Sequence, residues 1–390
     1  MGHPDVSLSY NNRRNISTRS VGKHDLQLNY FHLSSIQQKT MLFEAHSPRP
    51  VEDSNFKLVP KVTISDNTSE VFSIRFSPDG NFVAAGCGDG AIRVFNAQTG
   101  ALAYNLQGGS NVALPTTAIR FRPASEANKT KNVLIAANAA GAVQHWHMTS
   151  GKCLHSMDED HGNQVYALDY DKEGTKYVTA GKDTALRVYD EATKTLLTTM
   201  QGGQGYSTKT TPGHSNRVFS VKVVPQDDNL VISGGWDNTV QVWDIRAGYA
   251  VRSMFGPHIC GDALDIHHNT VVTGSWRATN QLELWDFGSG QKISDVPWHV
   301  LPNQPACMLY AAQFSKDVAG RFVAAGGSGA NEAKVFDRLS NNAVVGTVTG
   351  LTRGVFAVDF SPDQQKLAIA GGDASIRILD IVNKGDGHHD

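Results

Sequence analysis

Seven times along this chain a short alternating run leads to an aromatic or large apolar residue. In five of the seven an aspartate follows: the marks are Phe95, Trp146, Tyr189-Asp190, Trp243-Asp244, Trp285-Asp286, Phe336-Asp337 and Leu379-Asp380. Their separations are 51, 43, 54, 42, 51 and 43 residues. A unit that recurs at roughly 40–45 residues buries its apolar face against the next copy of itself, and the longer intervals hold loop insertions. The repeat therefore decides the fold.

The best-formed unit runs from His214 to Asp244. A polar turn is followed by an alternating run from Val218 to Val223, a second run ending Val231-Ile232-Ser233-Gly234-Gly235, and then Asp237-Asn-Thr-Val-Gln-Val-Trp243-Asp244. Period-two alternation bounded by Gly, Asn and Asp means short strands joined by tight turns. On these residues the chain resembles the WD-repeat β-propellers over about residues 56–383, which implies an all-β, seven-bladed ring. The resemblance further implies a hydrogen-bonded tetrad in which a His precedes the first strand, a Ser or Thr lies on the second, an Asp in the next turn and a Trp on the third. His214, Ser233, Asp237 and Trp243 match it in full. The third blade offers His161, Thr179 and Asp183 with Tyr189 in place of Trp. Elsewhere it decays, with Asp89 and Asp373 kept but Ala85 and Ile369 at the hydroxyl position. The chemistry of such a tetrad is structural, since it gives a buried indole N–H and imidazole their partners.

The expected innermost strands supply an independent check. They open Val71-Phe-Ser-Ile, Thr116-Thr-Ala-Ile, Val165-Tyr-Ala-Leu, Val218-Phe-Ser-Val, Gly261-Asp-Ala-Leu, Leu309-Tyr-Ala-Ala and Val355-Phe-Ala-Val. The third position is always Ser or Ala, as strands converging on a hub require. The last unit supplies only three strands, Val355 to Phe360, Lys366 to Gly371 and Ser375 to Ile381. The run Lys57 to Ser65 is the expected donor of the fourth, closing the ring and removing an exposed sheet edge. Residues 1–55 form an N-terminal arm, expected to be partly disordered, in which apolar residues reappear from Leu26 to Phe43. Residues 384–390 read as a disordered tail.

Composition narrows the function. Lys and Arg number 35 against 37 Asp and Glu, so there is no basic footprint for nucleic acid. Cys87, Cys153, Cys260 and Cys307 have no metal-site spacing, and no signal segment or membrane-length apolar run is seen. A cytoplasmic or nuclear location is expected, with no nucleic acid, no membrane insertion and no cofactor. Catalytic motifs are equally scarce. His145 and His147 share a strand face without a third ligand, and no Ser or Cys stands in a recognisable nucleophile setting.

Two positions point instead to partners. The resemblance implies docking on the top face, formed by the loops entering the innermost strands and the turns between second and third strands. The second residue of each innermost strand reads Phe72, Thr117, Tyr166, Phe219, Asp262, Tyr310 and Phe356, five of them aromatic. The residue before the turn Asp includes Lys182, Trp236 and, in the equivalent turn, Trp276. Trp is a residue type favoured at binding hot spots, and Trp236, Trp276, Phe219 and Tyr166 are expected to form one patch over the third to fifth blades. The insertions Gln201 to Gly213 and Val296 to Ala306 belong to the same face and could instead cover these rings. The reading is a non-enzymatic protein-interaction scaffold, a subunit of a larger hetero-complex. Alternatives are a part of a cytoskeletal or ciliary array, and a ubiquitin-ligase substrate receptor or peptide reader.

Overall fold

The computed structural model describes residues 54–65, 67–107, 114–126, 128, 130–159, 162–204, 210–300 and 303–386. The arm up to residue 53, His161 and residues 387–390 lie outside the described residues. No helix among the described residues is long and apolar enough to cross a membrane.

Seven four-stranded antiparallel sheets follow one another along the chain and make the blades of a ring. Blade 4 shows the pattern, with inner strand Val218–Val223, then Leu230–Gly235, Thr239–Asp244 and the outer strand Tyr249–Phe255. The inner strands of the others are Val71–Phe76 (blade 1), Thr116–Phe121 (2), Val165–Tyr170 (3), Leu264–His267 (5), Met308–Phe314 (6) and Val355–Phe360 (7). Apolar residues fall on both faces of the inner three strands, so each sheet has two faces to bury. They do so in seven clusters, one at every junction between neighbouring blades. Ile92, Ile119 and Trp146 join blade 1 to blade 2, for example, and Ile64, Ile74 and Ile376 join blade 7 to blade 1. The core is thus a ring of wedges rather than one centre, and each blade is held by two neighbours.

Six of the seven inner strands carry a β-bulge at the same place. The register jumps between Val71 and Ser73, Thr116 and Ala118, Val165 and Ala167, Val218 and Ser220, Leu309 and Ala311, and Val355 and Ala357. The skipped residue is Phe72, Thr117, Tyr166, Phe219, Tyr310 or Phe356. A bulge frees one residue from the ladder and re-aims its side chain, which is how these residues come to face the funnel described below. The same distortion brings the backbone close to the end of the second strand. A Cβ on Gly235 would lie 2.3 Å from the carbonyl oxygen of Arg217, so glycine is needed there. In blade 5 the strand starts only at Leu264, and Asp262 stands ahead of it.

The ring closes between the two ends of the described chain. Phe56–Ile64 pairs antiparallel with Ile376–Asn383, from Phe56 opposite Asn383 to Ile64 opposite Ile376, and becomes the outer strand of blade 7. Pro60 sits at a register shift on this outermost strand, where its missing N–H costs no ladder bond. The strand also reaches blade 6: Phe56 packs edge-on against Phe322 at 5.1 Å with the Arg321 guanidinium 4.4 Å above its ring, and Ser54 Oγ donates to Asp337 at 3.2 Å. Lys384–Asp386 forms a single helical turn whose first N–H donates to the Asn55 carbonyl at 2.7 Å.

Candidate functional site

Blade 4 brings the four residues of the full tetrad together. His214 Nδ1 is 2.8 Å from Asp237 Oδ2 and Nε2 is 2.7 Å from Ser233 Oγ, while Trp243 Nε1 donates to the same hydroxyl at 2.7 Å. Burial of Asp237 is outweighed by His214, the Ser215 N–H and the Thr239 hydroxyl, which together hold its carboxyl below the usual range. In blade 3 the centre of the network is Glu159, which the sequence pattern did not single out. Its carboxylate accepts from the Thr179 hydroxyl, from Tyr189 at 3.2 Å, from Asn163 at 2.8 Å and from Arg187 at 3.2 Å; Asp183 joins through Arg187, at 2.5 Å, and through its backbone N–H, which donates to Asn163 at 3.1 Å. The signal was an acid two residues ahead of the expected His.

At the ring's centre two layers of different chemistry lie one above the other. The upper layer is a funnel of about 390 Å³ opening on the top face, walled by Phe72, Tyr166, Phe219, Tyr310 and Phe356 with Leu168 and Val221 deeper in. Its rings are packed as two arcs. On blades 3 and 4, Tyr166 stacks on Phe219 at 4.8 Å, and Phe219 meets Trp236 at 5.1 Å. On blades 5 to 1, Trp276 meets Tyr310 at 6.4 Å, Tyr310 meets Phe356 edge-on at 5.3 Å, and Phe356 stacks on Phe72 at 5.6 Å. The single patch anticipated from sequence is therefore divided. Blade 5 has Asp262 where its own aromatic would stand, so Trp276 leans on blade 6 instead of joining Trp236. Thr117 makes the second gap, its hydroxyl engaged by the carbonyls of Ala137 at 3.1 Å and Val165 at 2.5 Å.

Trp236 and Trp276 are 37% and 38% exposed on turns flanking the funnel. Trp236 Nε1 donates to Cys260 Sγ at 3.0 Å, and Arg217 lies 5.2 Å above the indole. Lys182, on the matching turn of blade 3, is exposed and does not line the funnel. Residues 301 and 302 of the insertion after Val296 lie outside the described residues. Its Trp298 is buried against Phe336 at 5.7 Å, donates to Glu332 at 2.7 Å and carries Lys334 at 4.8 Å over its ring. In the other insertion Gly203–Gln204 pairs with Thr210–Thr211, and residues 205–209 lie outside the described residues.

The lower layer is ionic, and the sequence reading missed it. The fifth residue of the inner strands is Arg75, Arg120, Asp169, Lys222, Asp265, Gln313 and Asp359 in blade order. Asp169, Asp265 and Asp359 each accept a backbone N–H from the next blade, from Val223, Phe314 and Phe76 at 3.0, 3.0 and 2.7 Å. Asp262 reaches across the hub, accepting from Arg75 of blade 1, from Arg120 of blade 2 at 3.0 Å and from Ser220 of blade 4 at 3.1 Å. Burial pulls the Lys222 ammonium down to about 8 against the pull of Asp265, 3.7 Å away. The signal lay in the same strand alignment, two positions beyond the small hub residues.

Among the described residues, a further buried ionic cluster lies around Glu191. His145 meets Glu191 at 2.9 Å while His147 turns to Ser150 at 2.7 Å, so the two histidines do not converge. Arg122, Lys194 and Tyr170 complete the shell of Glu191, whose carboxyl falls to about 2. No group of three potential metal ligands occurs among the described residues.

This architecture agrees with comparisons to known proteins. The family model "WD domain, G-beta repeat" matches residues 58–96, 151–190, 205–244 and 342–380. The chain belongs to the WD-repeat β-propellers. Each matched stretch carries the inner three strands of blade 1, 3, 4 or 7. Blades 2, 5 and 6 lie outside the matched stretches and are recognised as blades by their four-stranded sheets. Among similar proteins, "U3 small nucleolar RNA-associated protein 21 homolog" of Schizosaccharomyces pombe is 24% identical over 56% of this chain and 21% of its own length. "Cell division cycle 20.1, cofactor of APC complex" of Arabidopsis thaliana is 21% identical over 65% of this chain and 51% of its own. The chain thus spans about half or less of the length of these two relatives. "Serine-threonine kinase receptor-associated protein" of Dictyostelium discoideum is 24% identical over 87% of this chain and 98% of its own length. WD-repeat propellers are typically protein-interaction scaffolds.

Proposed function

We propose that this propeller is a non-catalytic scaffold, a subunit of a larger hetero-complex that docks a protein partner on its top face. The observation that carries the reading is the pair of half-exposed tryptophans on turns flanking an aromatic funnel. Large rings left in water beside a concave apolar surface are what hot-spot anchors look like before a partner covers them. The relatives support the class: one is by name a cofactor of a complex and another is receptor-associated. None of the three is by name cytoskeletal or ciliary, so the array reading has only the sequence behind it. A substrate-receptor role remains the second reading, favoured by the likeness to the cell-division cofactor.

The test is co-purification from the native cell with wild type and with Trp236→Ala/Trp276→Ala. Anchors of this type cost ~2 kcal/mol or more each, so if the effects add the double variant should weaken partner binding at least about a thousandfold. Circular dichroism must show both proteins folded. Retention of every partner by the folded double variant would move docking to the N-terminal arm or the blade edges.

A further inference from the structure

The geometry points to the funnel as a receptor for one bulky uncharged side chain, aromatic or branched aliphatic, projected by the partner polypeptide; this rests on the scaffold reading and says what the top face selects. At about 390 Å³ the cavity falls within the roughly 300–1,000 Å³ range of small-ligand pockets, room for an indole or a leucyl group but not for a folded element. Its walls above the floor are mostly aromatic or aliphatic, with Ser73, Thr117 and Cys260 as uncharged exceptions.

The floor decides the charge of the guest. Every donor direction of Arg120 that the hub uses is filled: Nε by Asp169 at 3.0 Å, Nη1 by the Ile119 carbonyl at 2.9 Å and Nη2 by Asp262 at 3.0 Å. Asp262, the one carboxylate lining the funnel, is already shared by two guanidinium groups and the Ser220 hydroxyl. A lysine or arginine side chain entering from above would give up its hydration and find that carboxylate occupied, with Arg75, Arg120 and Lys222 behind it. An acidic side chain would meet the aromatic walls and the Asp262 charge. A neutral apolar group loses nothing on entry and gains burial against the rings. A free small molecule would leave Trp236 and Trp276 uncovered, whereas a polypeptide that dips one side chain into the funnel passes over them.

The test has two arms, both on the full chain. In ligand-observed saturation-transfer NMR, indole should bind at least tenfold more tightly than n-butylammonium or ethylguanidinium. Its affinity should fall at least tenfold in Ala139→Trp, which fills the cavity from a half-buried wall position on a top turn. If Ala139→Trp does not fold, Phe356→Lys, which places an ammonium among the walls, decides the same point. Cations that bind as well as indole, or indole binding that ignores both variants, overturn the apolar guest. In the second arm the funnel variants are carried through the co-purification. Loss of the partner that Trp236→Ala/Trp276→Ala also loses supports a side chain seated in the funnel. Retention by the funnel variants alone confines docking to the rim and overturns this inference while the scaffold reading stands. Retention by all of them moves docking off the top face, and the polypeptide guest of the funnel falls with it.

Discussion

At the scale of single residues, the seven blades repeat one small pairing rule with different outcomes. In three of the four blades whose third strand carries a ring with a polar hydrogen, the second strand offers a hydroxyl two residues beyond the paired position: Ser233 for Trp243, Thr273 for Trp285 at 3.1 Å, and Thr179 with Tyr189, joined through Glu159. Where the ring or aliphatic residue has no such hydrogen, as at Phe95, Phe336 and Leu379, the position is Ala85, Ala325 or Ile369. Blade 2 breaks the pattern, because Ala136 leaves the buried Trp146 N–H with no acceptor among the described residues. A buried donor needs a partner far more than a non-polar ring does, which is why hydroxyl and indole come and go together. The consequence for aspartate follows directly. Asp237 accepts from His214, which in turn holds Ser233 and Trp243, whereas Asp89 on the matching turn of blade 1 pairs with Arg93 near solvent, its side chain 39% exposed. Asp237→Ala should therefore lower stability by about 1–3 kcal/mol more than Asp89→Ala. Denaturant titration of the two variants measures it, and coincident midpoints would show that the tetrad carries no special weight.

At the scale of elements, the bulge and the closing strand divide what the amino-acid sequence makes legible from what it hides. Alternation, turn residues and the small third position of the inner strands are enough to place seven sheets, because each is a local property of a few adjacent residues. The missing fourth strand of the last unit is legible too, since an unpaired edge is a deficit that can be counted. The bulge is not. It is a mismatch between two strands, so an isolated run such as Val71-Phe72-Ser73 gives no hint that Phe72 leaves the ladder. The closing strand carries a prediction. It supplies the outer edge of blade 7 and, through Phe56 and Leu58, apolar contact with blade 6. A chain lacking residues 1–66 loses all of this and should open cooperatively at that seam, with a melting temperature lower by several degrees, on the order of 5 °C. A chain lacking only residues 1–53 is the control. If both melt together with wild type, pairing of the two ends does not hold the ring.

At the scale of the whole molecule, the hub sets the character of the site above it. Seven strands converge with Ser or Ala at the third position, and the gap they leave is filled two residues further on by six charged residues of both signs and one Gln rather than by apolar packing. That choice ties blades that are not neighbours: Asp262, ahead of blade 5, is bonded to Arg120 and Arg75, 142 and 187 residues away in sequence. Such pairings depend on which blade faces which across the closed ring, so a residue that looks in sequence like a lapse in an aromatic series proves to be the pin of the hub. Glu159, taking the central place in blade 3, is hard to find for another reason, because it is an acid standing two residues ahead of the place where the motif calls for a His. The energetics distinguish this pin from a surface pair. The side chains of Arg75, Arg120 and Asp262 are 8%, 10% and 21% exposed, and removing the shared carboxylate leaves the buried Arg75 guanidinium to the Ile74 and Val358 carbonyls and Arg120 to Asp169. Breaking a buried pair by deleting one partner typically costs ~3–5 kcal/mol, while an exposed pair is worth ~1 kcal/mol or less. Asp262→Ala should then destabilise the ring by several kcal/mol, whereas Asp363→Ala, which removes the outlying partner of Lys366 at 3.5 Å, should leave it nearly unchanged. Guanidinium chloride unfolding of both variants distinguishes these outcomes; equal midpoints would mean that the arginines find other partners and that the hub is held by its apolar wedges alone.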